Sequence, residues 1–178
     1  SIKLNLEEGK IYGLVGRNGS GKSILLKVIC GFLKPTEGIV LVDNKDLAKE
    51  PVFPESIAAL IERPNYIPDL NAFDNLFMIA SIKNVIGKKE IEDTLKLVNL
   101  YDQKYIKIKK LSGGMKRRVG IAQSLINDPK ILILDEPTTG LDPGERIRFR
   151  NFLSEYGKDK IILISTHIVS DIEYISTQ

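Results

Sequence analysis

The run Gly16-Arg17-Asn18-Gly19-Ser20-Gly21-Lys22-Ser23 satisfies the pattern G-x-x-x-x-G-K-S in full. Its chemistry is the capture of a chain of phosphates. Phosphate oxygens must be met by several backbone N–H groups at once, and glycines let the chain curl close enough to supply them. A helix opening at Gly21–Lys22 adds its positive dipole end. Lys22 brings a point charge to the β- and γ-phosphates, and the Ser23 hydroxyl can ligate Mg²⁺. A second group of reactive residues closes the apolar run Ile131-Leu132-Ile133-Leu134 with Asp135-Glu136-Pro137. A buried strand cannot carry charge inside, so both acids sit at its C-terminal tip, the edge where ligands bind in open α/β sheets. Asp135 suits a Mg²⁺ partner, directly or through water. Glu136 is then placed to orient or deprotonate the water that attacks a γ-phosphate.

These groups need a scaffold of strands and helices. Lys10 to Val15 reads as a buried strand ending at Gly16, and Gly21 to Phe32 as a helix with Ile24, Leu25, Val28, Ile29 and Phe32 on one face. Ser1 to Leu6 alternates like a strand, and further strands are expected at Ile39–Val42, Ser56–Ile61, Ile131–Leu134 and Ile161–Ile164. Asn71 is a candidate cap for a helix burying Phe73, Leu76, Phe77 and Ala80. A second helix spans Glu90–Leu100 with Ile91, Leu95 and Val98 inward, and a third begins near Ser112 with Met115, Val119, Ala122 and Leu125 inward. A helix from Pro143 buries Phe149, Phe152, Leu153 and Tyr156, and Ser170 reads as the cap of a last one. Strands alternating with helices imply an α/β fold with a mostly parallel sheet. The all-helical middle, residues 65–128, reads as a subdomain inserted into a core of residues 1–64 and 129–178.

Composition narrows the partners. The chain of 178 residues is one domain's worth, and its net charge of +3 demands neither nucleic acid nor an anionic membrane surface. The cations Lys104, Lys107, Lys109, Lys110, Lys116, Arg117 and Arg118 lack interleaved stacking aromatics, so they read as a solvated face and no nucleic-acid partner is expected. The lone Cys30 lies in an apolar stretch and reads as a buried thiol. No apolar run approaches the roughly 20 residues that cross a bilayer.

Leu111-Ser112-Gly113-Gly114-Met115 adds a second anion site: Ser112 is an N-cap candidate, and Gly113 and Gly114 leave amides bare at a helix start. This run resembles the signature motif of ABC (ATP-binding cassette) ATPases. The other motifs follow in that family's order, with Gly16–Ser23 as Walker A and Asp135-Glu136-Pro137-Thr138-Thr139-Gly140-Leu141-Asp142 as Walker B and D-loop. Ser165-Thr166-His167 looks like the switch histidine, and the resemblance covers nearly the whole chain. It implies a P-loop NTPase fold, ATP and Mg²⁺ as cofactors, and hydrolysis by Glu136, His167 and Lys22. It also implies a head-to-tail homodimer with two ATPs at the interface. There Ser112, Gly113 and Gly114 read the partner's γ-phosphate, and Asp142 carries communication across.

The resemblance further implies a transmembrane permease partner and a cytoplasmic position on the inner face of the membrane. The segment Leu60–Pro68 is similar to ABC domains of exporters that protect bacteria from lantibiotic- or bacitracin-type peptides. A soluble ABC ATPase of DNA repair or translation is the alternative. It is disfavoured because no sustained heptads or paired cysteines lie between Lys22 and Ser112 and the chain holds a single cassette. Two positions depart from the family. Met115 stands where the signature has Gln, and Glu62 stands at the Q-loop position, where its carboxylate can still ligate Mg²⁺. The family's adenine-stacking aromatic falls before Ser1 and its last strands beyond Gln178, so the chain reads as cut at both ends.

Overall fold

The computed structural model describes residues 2–49, 53–62, 64–83 and 87–173. Four strands, β1 (Lys10–Val15), β4 (Ile57–Leu60), β5 (Ile131–Asp135) and β6 (Ile161–Thr166), form one sheet in the order β1-β6-β5-β4, parallel throughout. Alternation along them serves two cores. Leu132, Leu134, Ile162, Ile164, Ile11 and Leu60 face one side, while Ile133, Leu163 and Ile57 face the other. A sheet covered on both faces explains why β5 and β6 are near-continuous apolar runs.

Helix α1 (Lys22–Ile29) covers the second face through Leu26 and Cys30, both fully buried. Burial pushes the Cys30 thiol up to about 12, so at neutral pH it stays an inert thiol. The expected apolar stripe of α1 is corrected: Ile24 and Phe32 are exposed, and the inward line runs Lys22–Leu26–Cys30. Apolar residues on nearly every side of this helix left its periodicity degenerate. The need to aim the first turn at the preceding loop settles its rotation. The helix also ends before Phe32, because Gly31 takes φ 77° and closes a Schellman motif, with Gly31 N–H donating to Val28 O and Phe32 N–H to Lys27 O.

The first face carries α2 (Ala72–Lys83), α3 (Lys88–Leu97), α4 (Gly113–Leu125) and α5 (Pro143–Tyr156). Asn71 caps α2 by accepting from Asp74 N–H at 2.8 Å, and Phe73, Leu76 and Ala80 are buried as expected. Phe77 is not: it stays 40% exposed, stacked outward on Phe73 at a ring distance of 6.3 Å. On α3, Ile91 and Leu95 are buried, as is Val98 just beyond its last turn.

Three smaller differences concern strands and caps. Residues 2–6 form no strand: among the described residues β1 pairs only with β6, and its outer edge is left unpaired by them. Of Ile39–Val42 only β2 (Leu41–Val42) is strand, and it pairs antiparallel with β3 (Lys45–Asp46) as a separate hairpin. Asp43 and Asn44 turn that hairpin with φ 51° and 63°, a two-residue Asp-Asn turn that marks such hairpins in a sequence. Finally, Ser170 is the first residue of α6 (Ser170–Glu173) and not its cap, because Ile172 and Glu173 N–H donate to Val169 O.

Candidate functional site

Strands β1, β5 and β6 end in register, with Val15 opposite Thr166 and Asp135 opposite Ser165. The loops leaving these ends therefore converge at one edge, as open parallel sheets require of a ligand site. The first is the 16–23 loop. Gly19 and Gly21 adopt φ 79° and 91°, and a Cβ at either would meet open space. The amides of Gly19, Gly21, Lys22 and Ser23 donate to no acceptor among the described residues, leaving four donors bared at a helix start. Lys22 is buried, so its ammonium must be satisfied internally. Its Nζ donates to Gly16 O at 2.7 Å and Arg17 O at 3.2 Å and lies 3.5 Å from Glu136 Oε1.

The second loop follows β5. Asp135 is 7% exposed and accepts from Ser23 Oγ at 2.6 Å and from Ser165 Oγ. Helix α1 and β5 thus present one hydroxyl and one carboxylate side by side, a donor set suited to Mg²⁺. That ion takes one or two carboxylates and completes its shell with phosphates and water. Glu136 leaves the strand in the left-handed region at φ 50°. Its N–H donates to Ser165 O at 3.1 Å and Ser165 Oγ at 3.0 Å. Its Oε2 lies 2.6 Å from Nδ1 of the half-exposed His167 and accepts from Thr139 Oγ1 at 3.2 Å. Its Oε1 is buried and makes no hydrogen bond, so an acceptor oxygen is held open beside Lys22. A carboxylate so oriented can receive a proton from a water placed over the glycine loop.

Ser112, Gly113 and Gly114 stand apart from this cluster. No hydrogen bond or ion pair among the described residues joins them to residues 16–23. Ser112 Oγ caps α4 by accepting from Met115 N–H at 3.2 Å, and the amides of Gly113 and Gly114 donate to no acceptor among the described residues. Gly113 faces open space, whereas a Cβ on Gly114 would sit 3.3 Å from Glu145 Oε2. Asp142 caps α5 by accepting from Glu145 N–H at 2.8 Å, and Glu145 pairs in turn with Arg118 on α4. The start of α5 is thereby tied to α4.

Glu62 does not join Ser23 and Asp135 directly. It is exposed, has φ 67°, and its Oε1 lies 2.5 Å from Nζ of Lys27 on α1. The connection runs through Arg117 instead. Its Nη1 donates to Glu62 O at 3.2 Å, and its Nη2 donates to Asp135 O. Burial pulls this guanidinium below its ordinary pKa, a tendency opposed by the Asp135 carboxylate. Part of the expected solvated cationic face is therefore corrected. Arg117 is held in the site, Arg118 bridges to Glu145 and Asn99 O, and Lys104 pairs with Glu92 at 2.6 Å while lying 3.7 Å over the Tyr101 ring. Ser165, Thr139 and Arg117 are the site residues missed as individuals. The first two lie inside runs already marked by motif; nothing local in the sequence signals Arg117.

Comparison with known proteins decides what this edge belongs to. Residues 1–139 match the model of the family described as ABC transporter. The chain belongs to that family. It is 38% identical over 173 residues to YybJ of Bacillus subtilis, an uncharacterized ABC transporter ATP-binding protein, covering 97% of this chain and 79% of that one. It is 35% identical to the lantibiotic transport ATP-binding protein SrtF of Streptococcus pyogenes, covering 99% and 76%. It is 36% identical to the bacitracin transport ATP-binding protein BcrA of Enterococcus faecalis, covering 98% and 58%. The chain thus spans 58% to 79% of the lengths of these relatives. The fold superposes on the dimeric structure of MJ0796, a bacterial ABC transporter cassette, with TM-score 0.83 and 29% identity over 96% of this chain and 80% of that one. A second structure of that cassette is a dimeric post-hydrolysis state bound to ADP and Pi. This ABC chain is accordingly an ATP-binding and ATP-hydrolysing cassette with the α/β fold of its neighbours.

Proposed function

We propose that this ABC cassette is the motor of a membrane exporter of antimicrobial peptides or drugs, working as a head-to-tail homodimer that encloses two ATP molecules. The observation that supports the dimer is the presence of two separate sets of amides without acceptors among the described residues, at Gly19, Gly21, Lys22 and Ser23 and at Gly113 and Gly114. A two-fold pairing lets each set complete the other copy's site. The names of SrtF and BcrA support export of lantibiotic or bacitracin-type peptides. Among the described residues no helix is long and apolar enough to cross a membrane. The spanning part would be a companion permease, docked on the inner face of the membrane against the 65–128 helical subdomain and the Glu62 segment.

In this reading Gly16, Arg17, Asn18, Gly19, Ser20, Gly21, Lys22 and Ser23 wrap the triphosphate, and Lys22 trades its carbonyl partners for β- and γ-phosphate oxygens. Ser23 and Asp135 would hold Mg²⁺, which supplies charge against the phosphate oxygens; Glu62 can reach toward it once freed from Lys27. Glu136 accepts the proton of the water that attacks the γ-phosphorus while the bond to the bridging oxygen breaks toward ADP. His167 keeps Glu136 oriented and meets the γ-phosphate. Asp142, capping α5 beside the signature helix, passes the state of one site to the other copy.

Lys22→Met is expected to weaken ATP binding about 10–100-fold, since a hydrogen bond from a charged donor is worth about 1.5–3 kcal/mol. A fluorescent-ATP titration checks this, and unchanged affinity would remove Lys22 from the site. The transporter assignment is tested by purifying the full-length protein from its native membrane. A companion subunit with membrane-spanning segments, identified by mass, is the expected result. Recovery only from the soluble fraction, with no such companion, would count for the soluble alternative.

A further inference from the structure

We infer that Arg117 is a positioning residue for Glu136, coupling the backbone at Glu62 to the backbone of the catalytic glutamate. The inference rests on the reading of Glu136 as the group that activates the attacking water. Its basis is the choice of acceptors. Arg117 ignores the nearby carboxylates and donates instead to two main-chain carbonyls, Glu62 O and Asp135 O. Each carbonyl adjoins or belongs to a non-glycine residue in the left-handed region, Glu62 at φ 67° and Glu136 at φ 50°. Such conformations persist only where the surroundings over-determine them.

The peptide joining Asp135 to Glu136 is held from both sides. Its carbonyl accepts from Arg117, and its N–H donates to Ser165 O and Oγ. A plane fixed at both ends sets where the Glu136 side chain starts, and so where its free Oε1 lies relative to Lys22. One guanidinium carries both contacts because its planar fork offers several donors at fixed angles; an ammonium could not span them with the same geometry.

The helix bearing Arg117 is seated tightly enough to transmit movement. One turn further along α4, a Cβ on Gly120 would come 2.5 Å from Pro64 Cγ and 2.9 Å from the Tyr66 hydroxyl. Tyr66 donates that hydroxyl to Lys116 O at 2.5 Å. Pro64 and Tyr66 are therefore seated against α4 beside Arg117. A change in the backbone at Glu62 reaches the Asp135–Glu136 peptide through one rigid group.

The test compares Arg117→Met, Arg117→Lys and Glu136→Gln in the full-length protein. It measures kcat, KM for ATP, affinity for a fluorescent ATP, and mass in solution with ATP. Arg117→Met is expected to lower kcat at least about tenfold, because small misplacements of a catalytic group are costly. Nucleotide affinity should stay within about twofold, the glycine loop being untouched, and the ATP-bound dimer should accumulate as it does for Glu136→Gln. Arg117→Lys should recover part of the loss. Wild-type kcat in Arg117→Met overturns the inference, and so does a loss confined to ATP affinity. Should the Met variant not fold, the Lys variant decides: reduced kcat at unchanged KM supports the coupling, and wild-type kcat rejects it. Glu136→Gln keeps the two levels apart. If it hydrolyses ATP normally, the reading of Glu136 fails. If it is inactive while Arg117→Met is normal, only the role of Arg117 fails.

Discussion

Glu136→Gln is expected to slow ATP turnover by roughly 10²–10⁴-fold, the range for a positioned general base, while ATP affinity stays near that of the unaltered protein. Glutamine keeps the shape of the side chain and its contacts with Thr139 Oγ1 and His167. What it loses is the second acceptor oxygen and the ability to take a proton. That oxygen, Oε1, is the buried atom that makes no hydrogen bond and lies 3.5 Å from Lys22 Nζ. The phosphate-binding amides are untouched, so ATP should still bind and the ATP-bound form should build up. Release of phosphate from purified protein reads the result. Turnover at the original rate would mean that the water is activated by another group.

Ser112→Glu is expected to have a comparable effect by a different route. A carboxylate at the start of α4 stays close to the helix dipole, so the fold should tolerate it. It would occupy the space in front of the Gly113 and Gly114 amides and repel any phosphate brought there by a second copy. Losing one such set of preorganised donors costs roughly 10²–10³ in rate in comparable sites. The chain's own glycine loop remains intact, so ATP affinity of the isolated copy should not change. Loss of turnover with retained affinity is the pattern that separates a site shared between copies from one complete within a copy. Ser112→Ala gives a milder control: it removes a cap worth about 1 kcal/mol of helix stability but leaves both glycine amides free.

The parts of the site legible in the sequence are those whose chemistry is local to the chain. The glycine loop, the acids closing β5 and the capped start of α4 each need only a few adjacent residues, and their order along the chain names the family. The parallel sheet was legible for a related reason, since β5 and β6 are apolar on both faces. Arg117 lay beyond such reading because its role depends on where β4 and β5 end relative to α4, a tertiary fact. Beside Lys116 and Arg118 it reads as surface charge. The stripe of α1 was ambiguous because apolar residues ring the helix, and the short β2–β3 hairpin was hidden by two-residue strands too brief for any alternation. Glu62 was found by position, yet its ion pair with Lys27 places its carboxylate toward α1 and leaves its backbone, not its side chain, as the link to Asp135.

The most direct measurement is the solution mass of the full-length Glu136→Gln protein with and without ATP, repeated after adding Ser112→Glu. A twofold rise in mass with ATP, abolished by the second change while each copy still binds nucleotide, is the predicted result. A protein that binds ATP yet keeps the same mass, or one whose doubling ignores Ser112, would contradict the paired-cradle account.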